Sequence, residues 1–161
     1  MIDICTRPII VGFDDHDASR RALIQAAHLA SRLEVHLYVE HIVDLEDTPI
    51  DPDTADWEDE VRQHLQTLQH HAETLIELSH DDWDYHVHHG DSWHVLLHRA
   101  EELDAGLIIV GQHLHARALA TALGHFLAGP AGLNVAEQLV RHGNRPILVV
   151  PSQVSKHSEE S

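Results

Sequence analysis

Short apolar runs that alternate with helix-like stretches are the feature that most constrains the fold of this chain. The runs "RPIIVGF" at 7–13 and "AGLIIVG" at 105–111 are short, continuous and marked by glycine. Such runs are typical of strands that are buried on both faces of a parallel sheet. Between the runs, apolar residues recur at the three- and four-residue spacing of a helix face. The alternation predicts an α/β fold built on an open, doubly wound parallel sheet with right-handed crossovers.

The boundaries of the predicted elements follow from turn and cap residues. The first helix spans Ala18 to Leu33 with Asp17 as its N-cap, and Ser92 caps the third helix. The proline-containing acidic segment 44–56 is predicted as an exposed loop. Predicted strands lie at 7–13, 34–43, 84–89, 105–111 and 145–151, and further helices lie at about 57–78 and 134–142. We predict one domain over residues 1–152 and a polar tail over 153–161.

Charge excludes several classes of partner. The formal net charge of −17 repels nucleic acid and anionic membranes. No stretch of eighteen apolar residues occurs, so no membrane span is predicted. The N-terminus indicates a first strand instead of a signal peptide. The single cysteine, Cys5, fits a reducing cytoplasm, where we expect it as a small buried residue.

Histidine is the second unusual feature of the composition. Protonation of all eighteen histidines would move the formal charge from −17 to +1, so association or solubility should change between about pH 7 and pH 5. His86 and His88 project from one face of a predicted strand, and transition metals bind such imidazoles. No HExxH or CxxC pattern accompanies them, so no metal ligand is assigned, and a histidine-based metal buffer stays an alternative function.

Motifs for catalysis are missing from the sequence. No G-x-S-x-G occurs, and Cys5 lies outside any recognisable nucleophile context. The acidic segment 44–60 lacks the central glycine and terminal glutamate of a calcium-binding loop. We therefore predict no catalytic residue and no enzymatic activity.

Four blocks resemble the universal stress protein family, in the family's order and at its intervals. They are "IIVGFDDHDASRRAL", "HHGD" at 88–91, "ELDAGLIIVG" and "NVAEQLVRHGNRPILVVP". The resemblance implies the adenine nucleotide alpha hydrolase-like fold, with five parallel strands in the order 3-2-1-4-5. It also implies a cytoplasmic homodimer formed through the last strand, from Pro146 to Val150.

In such sheets ligands bind where the strand order reverses, here between the first and fourth strands. Asp14 follows the first strand and matches an aspartate that contacts the adenine-ribose end in nucleotide-binding members. Ile42 matches an apolar residue packed against adenine. Without a ligand, Asp14 would serve as a cap before the first helix, and Ile42 as core of the second strand.

The phosphate loop departs from the pattern Gly-x2-Gly-x9-Gly-Ser/Thr of ATP-binding members. Gly111 matches the first position, but Leu114 replaces the second glycine, and Gly124 and His125 stand at the last two positions. A leucine brings a bulky side chain and restricts φ where backbone must approach phosphate.

Counted back from the closing helix, the last position falls instead on Asn134, with about nine surplus residues before it. The loop resembles the family branch without the glycine motif. We therefore predict a dimeric stress-response module that acts through protein partners, requires no cofactor and does not bind ATP through the usual loop. The alternative is an ATP or AMP sensor, with slow hydrolysis of ATP or none, that uses Asp14, Ile42, Gly111, Gly124, His125 and Asn134.

Overall fold

A computed structural model describes residues 5–43, 56–77, 82–112 and 135–152. In this part of the chain, five parallel strands form one sheet in the order β3-β2-β1-β4-β5, which confirms the predicted fold class. The strands are β1 (Ile9–Phe13), β2 (Leu37–Val43), β3 (Trp83–His89), β4 (Leu107–Gly111) and β5 (Ile147–Val150). The described helices are α1 (Asp17–Leu33), α2 (Trp57–Leu75), α3 (Ser92–Glu102) and α4 (Val135–His142).

Helices cover both faces of the sheet, as expected for strands that are apolar on both sides. One core layer packs α1 and α2 against one face, with Leu23, Ala26 and Ala72 among its buried residues. The other layer packs α3 and α4 against the opposite face through Leu96 and Leu139. β1 lies at the centre, and its carboxyl end faces the starts of the crossover helices.

Three local predictions were wrong. His16 is the N-cap of α1, so Asp17 lies inside the first turn, and Asp91 is the N-cap of α3, so Ser92 is its first residue. In both places two polar residues are adjacent in sequence, and the helix begins one residue away from the predicted position. Cys5 is exposed, because it precedes β1 instead of entering the core. The predicted tail at 153–161 and most of the acidic loop lie outside the described residues.

None of the helices in the described ranges is both long enough and apolar enough to cross a membrane.

Candidate functional site

A cleft opens at the carboxyl ends of β1 and β4, where the strand order reverses. Its empty space, including the mouth, is about 400 Å³. Strand ends contribute to the cleft from one side, and the beginnings of α3 and α4 contribute Ser92 and Val135. The cleft is lined by Gly12, Phe13, Asp14, Ser19, Ile42, Ser92, Leu96, Val110, Gly111 and Val135.

Asp14 is held at the edge of this cleft by the turn between β1 and α1. Its backbone N–H donates to the buried Ser19 hydroxyl over 2.9 Å. Its Oδ1 accepts from the His16 backbone N–H at 3.1 Å and lies 3.2 Å from His16 Nδ1. The side chain keeps 32% of its surface accessible, so the carboxylate both shapes the turn and faces solvent.

Asp15 stabilises the same turn from its outer side. Its φ of 64° places it in the left-handed region, which aspartate tolerates better than most residues. Its carboxylate accepts from Arg20 Nε at 2.8 Å and approaches His71 Nδ1 of α2 at 2.7 Å. Partial burial alone would raise the pKa of Asp15, but the hydrogen bonds from Arg20 and His71 outweigh it and lower that pKa. The turn that presents Asp14 is thereby tied to both α1 and α2.

Gly111 allows the end of β4 to approach the start of α1. A Cβ atom at this position would lie 2.5 Å from the carbonyl carbon of Ala18 and from the backbone nitrogen of Ser19. The position therefore requires glycine for packing alone, whether or not a ligand binds. At Gly12 the nearest atom to such a Cβ would be Leu96 Cδ1 at 3.3 Å, an atom at the end of a side chain and not in the backbone.

Three residues predicted for the site, Asp14, Ile42 and Gly111, line the same cleft. The other three, Gly124, His125 and Asn134, lie outside the described residues. Sequence reasoning did not select Ser19 or Ser92 as cleft residues. The signal for both was their place at the beginning of a helix that follows a strand end.

The cleft has the chemistry of a binding site. Apolar walls from Ile42, Leu96 and Val110 face a carboxylate, two serine hydroxyls and the N-terminal ends of helices. Helix N-termini favour anions, and apolar walls favour a flat, weakly polar group. The described residues that line the cleft include no histidine, cysteine or lysine. None of these residue types is therefore placed there to act as a base for a serine or as a nucleophile.

Comparison with known proteins agrees with the fold. A model of the universal stress protein family matches residues 6–151. The chain belongs to the universal stress protein family. The match covers all five strands and therefore confirms the resemblance seen in the four sequence blocks.

Solved structures of universal stress proteins share this fold. One, in complex with cAMP, is 18% identical with a TM-score of 0.61, covering 91% of this chain and 98% of that chain. Another, from Archaeoglobus fulgidus in complex with dAMP, is 21% identical with a TM-score of 0.55 over 93% and 99% of the two chains. A family member from Burkholderia pseudomallei is 24% identical, with a TM-score of 0.58 over 92% and 98%. No curated protein sequence matches the chain.

Proposed function

We propose that this universal stress protein is a cytoplasmic, homodimeric stress-response module that acts through protein partners and not through catalysis. The observation that carries the proposal is the apolar surface of β5, at one edge of the sheet, in a chain of this family. Leu148 and Val149 of β5 are 40% and 39% exposed. An edge strand with apolar side chains and unpaired backbone groups is a template for pairing with another chain.

The helix beside β5 also exposes an apolar side chain. Val140 of α4 is 66% exposed, and α4 packs next to β5. A second copy that pairs along Pro146 to Val150 would cover apolar side chains on the strand. The symmetry of such a contact closes the assembly at two subunits, because each β5 edge is used once.

The test of the dimer compares two valines on opposite edges of the sheet. Val149 of β5 and Val87 of β3 are similarly exposed, at 39% and 37%. Wild-type protein at micromolar concentration should sediment as a dimer, Val149→Glu should shift it to monomer, and Val87→Glu should not. A monomeric wild type, or equal dissociation by both variants, would count against β5 as the interface.

A second candidate function is favoured by the cleft. Asp14, Ile42 and Gly111 meet at the reversal of strand order, where ligands bind in open parallel sheets. The cAMP and dAMP complexes of structural neighbours make an adenine nucleotide the natural ligand class to test. In this proposal Asp14 accepts hydrogen bonds from ribose hydroxyls, Ile42 packs against adenine, and Gly111 leads into the phosphate-facing segment. Gly124, His125 and Asn134 are the proposed anion-binding residues of that segment.

The loss of the second glycine from the phosphate-loop motif determines which nucleotides we expect to bind best. Leu114 stands where a second glycine would let backbone approach a triphosphate. We therefore expect AMP and magnesium-ATP to bind with affinities within about tenfold of each other, because the outer phosphates gain little.

Calorimetric titration with AMP and with magnesium-ATP tests this second function. Asp14→Asn should weaken binding about tenfold or more, because one charge-assisted acceptor is lost. Asp17→Asn is the matched control, since Asp17 lies in the first turn of α1 and does not line the cleft. Absence of heat and of any thermal shift at millimolar nucleotide would remove the nucleotide function without touching the dimer.

A further inference from the structure

Glu40 is a carboxylate buried in the middle of β2. Its side chain is fully inaccessible to solvent, although it lies in a strand between the central β1 and the edge strand β3. The period of the strand places Glu40 on the same face as Ile42, beneath α3. A carboxylate in such a place is costly unless charged or hydrogen-bonding groups surround it.

Two histidines of β3 supply those groups. Glu40 pairs in register with His86, and His88 follows on the same face of β3. His86 Nδ1 lies 3.3 Å from Glu40 Oε1, and His88 Nε2 lies 2.5 Å from Glu40 Oε2. One ligand atom from each of the three residues lies within 4.8 Å of both others. Two imidazoles and one carboxylate thus converge on a single small volume.

Arg99 of α3 contacts both Glu40 and His86, and His86 Nδ1 cannot form hydrogen bonds with both of these neighbours. Its Nη2 lies 3.2 Å from Glu40 Oε1 and 3.3 Å from His86 Nδ1. Arginine only donates, so His86 Nδ1 satisfies Arg99 only when it carries no proton. It satisfies Glu40 only when it does carry one. With protein groups alone, one of these two close contacts always joins two donors or two acceptors.

We propose that Glu40, His86 and His88 form a binding site for one divalent transition-metal ion such as zinc. A metal ion between His86 Nδ1 and Glu40 Oε1 accounts for the contact between these two atoms, because both then present lone pairs to the same cation. Arg99 then donates to Glu40 and Glu102 instead of to His86. Zinc bonds of roughly 2.0–2.1 Å in a tetrahedron separate neighbouring ligand atoms by about 3.3 Å. The separation of His86 Nδ1 from Glu40 Oε1 already has that value, and the ligand atoms of all three residues lie within 4.8 Å of one another.

Arg99 remains compatible with an ion at this position. Its shortest carboxylate contact is with Glu102, at 2.8 Å from Nη1, whereas its contacts with Glu40 are 3.2–3.4 Å long. Glu40 has two oxygens, so one can bind the metal while the other accepts from Arg99. Such outer hydrogen bonds orient a ligating carboxylate in many metal sites.

The site is also open to solvent on one side. His86 and His88 keep 39% and 27% of their side-chain surface accessible. A surface depression lined by His88, His94, His98, Arg99 and Glu102 adjoins it. Three protein ligands leave at least one coordination position for water or for a further ligand. The net charge of −17 raises the local concentration of divalent cations around the whole molecule.

The metal site is independent of the proposed nucleotide cleft. None of its three ligands lines that cleft, and neither imidazole belongs to the edge strand β5. Failure of nucleotide binding or of dimer formation would therefore leave the metal proposal standing, and the reverse also holds.

The experiment must separate this site from the many other histidines. Metal-free protein is titrated with Zn²⁺ against a chromophoric chelator, and with Co²⁺ while the visible absorption is recorded. Wild type should bind one ion more tightly than the rest and give the intense bands of four- or five-coordinate Co²⁺. His86→Asn combined with His88→Asn should lose that tight ion, weakening affinity about 100-fold, since loss of an outer partner alone costs roughly 10–100-fold.

The matched control is His28→Asn combined with His70→Asn, which removes two exposed histidines from helices. It should retain the tight ion and the Co²⁺ spectrum. His88→Asn alone leaves Arg99 paired with Glu40 and carries the same expectation if the double variant does not fold. Equal affinity in wild type and in the β3 variants, equal loss in the control, or no tight ion in wild type would overturn the proposal.

Discussion

The pKa of His41 is determined by its burial on the face of β2 opposite Glu40. The residue is 5% exposed, and its Nδ1 lies 2.8 Å from the Tyr85 hydroxyl of β3. Burial lowers the pKa of His41 below the ordinary 6.5, because the charged imidazolium loses hydration. Burial likewise raises the pKa of Tyr85. The pair is thus held in its neutral form inside the sheet.

The lowered pKa gives a defined pH dependence of stability. Below about pH 6.5 the unfolded chain protonates His41 before the folded chain does, so the free energy of unfolding falls as pH decreases toward the folded pKa. Above pH 6.5 this contribution is constant. Each unit of pKa difference corresponds to about 1.4 kcal/mol.

Urea unfolding of wild type and His41→Gln at a series of pH values isolates this effect, since the other histidines are common to both. The wild-type free energy of unfolding should fall more steeply than that of the variant between pH 6.5 and pH 5. Parallel curves would show that His41 titrates alike in the folded and unfolded chains.

At the scale of the elements, the junction of β4 with α1 depends on Gly111. Gly111→Ala places a methyl group against backbone atoms of Ala18 and Ser19, which cannot rotate away. We expect a loss of about 1–3 kcal/mol in the free energy of unfolding, the usual range for overpacking. Thermal and urea unfolding measure it.

Gly12→Ala is the comparison for that substitution. Gly12 also lines the cleft. The methyl group of alanine at this position would meet the end of the Leu96 side chain, which can adjust more easily than backbone. It should cost clearly less than Gly111→Ala. An equal or larger cost at Gly12 would mean that β4 and α1 adjust more easily than their backbone distance implies.

Elements whose pattern is strong could be predicted from the sequence, and contacts between side chains could not. The apolar run at 105–111 predicted β4, and the spacing from Ala18 to Leu33 predicted α1, because burial imposes those periods. The strand order came from the family resemblance. Asp14, Ile42 and Gly111 followed from the rule that ligands bind at the reversal of that order.

Glu40 shows where the sequence was insufficient. A glutamate inside "EVHLYVEHIV" carries no mark of burial, because its partners His86, His88 and Arg99 come from two other elements. His16 and Asp91 as N-caps were missed for a smaller reason. Asp91 adjoins Ser92, which caps helices equally well, whereas His16 is not a preferred N-cap residue and makes no side-chain cap hydrogen bond.

For the whole molecule, charge is the property that pH changes most. At neutral pH the formal charge of −17 keeps molecules apart, and protonation of the exposed histidines reduces that repulsion. Light scattering at low ionic strength should rise between pH 7 and pH 5, as molecules with little net charge associate. A flat signal over this range would mean that the histidines do not act together.

The central position of β1 has a consequence for how the protein is made. β1 pairs with β2, its neighbour in sequence, and on its other side with β4, so that Ile9 lies beside Leu107. During synthesis the first strand therefore emerges long before one of its two partners. Contacts between such distant segments form slowly, and an apolar strand with an open edge is prone to aggregate meanwhile. A nascent chain that ends before β4 would leave one edge of the apolar strand β1 unpaired.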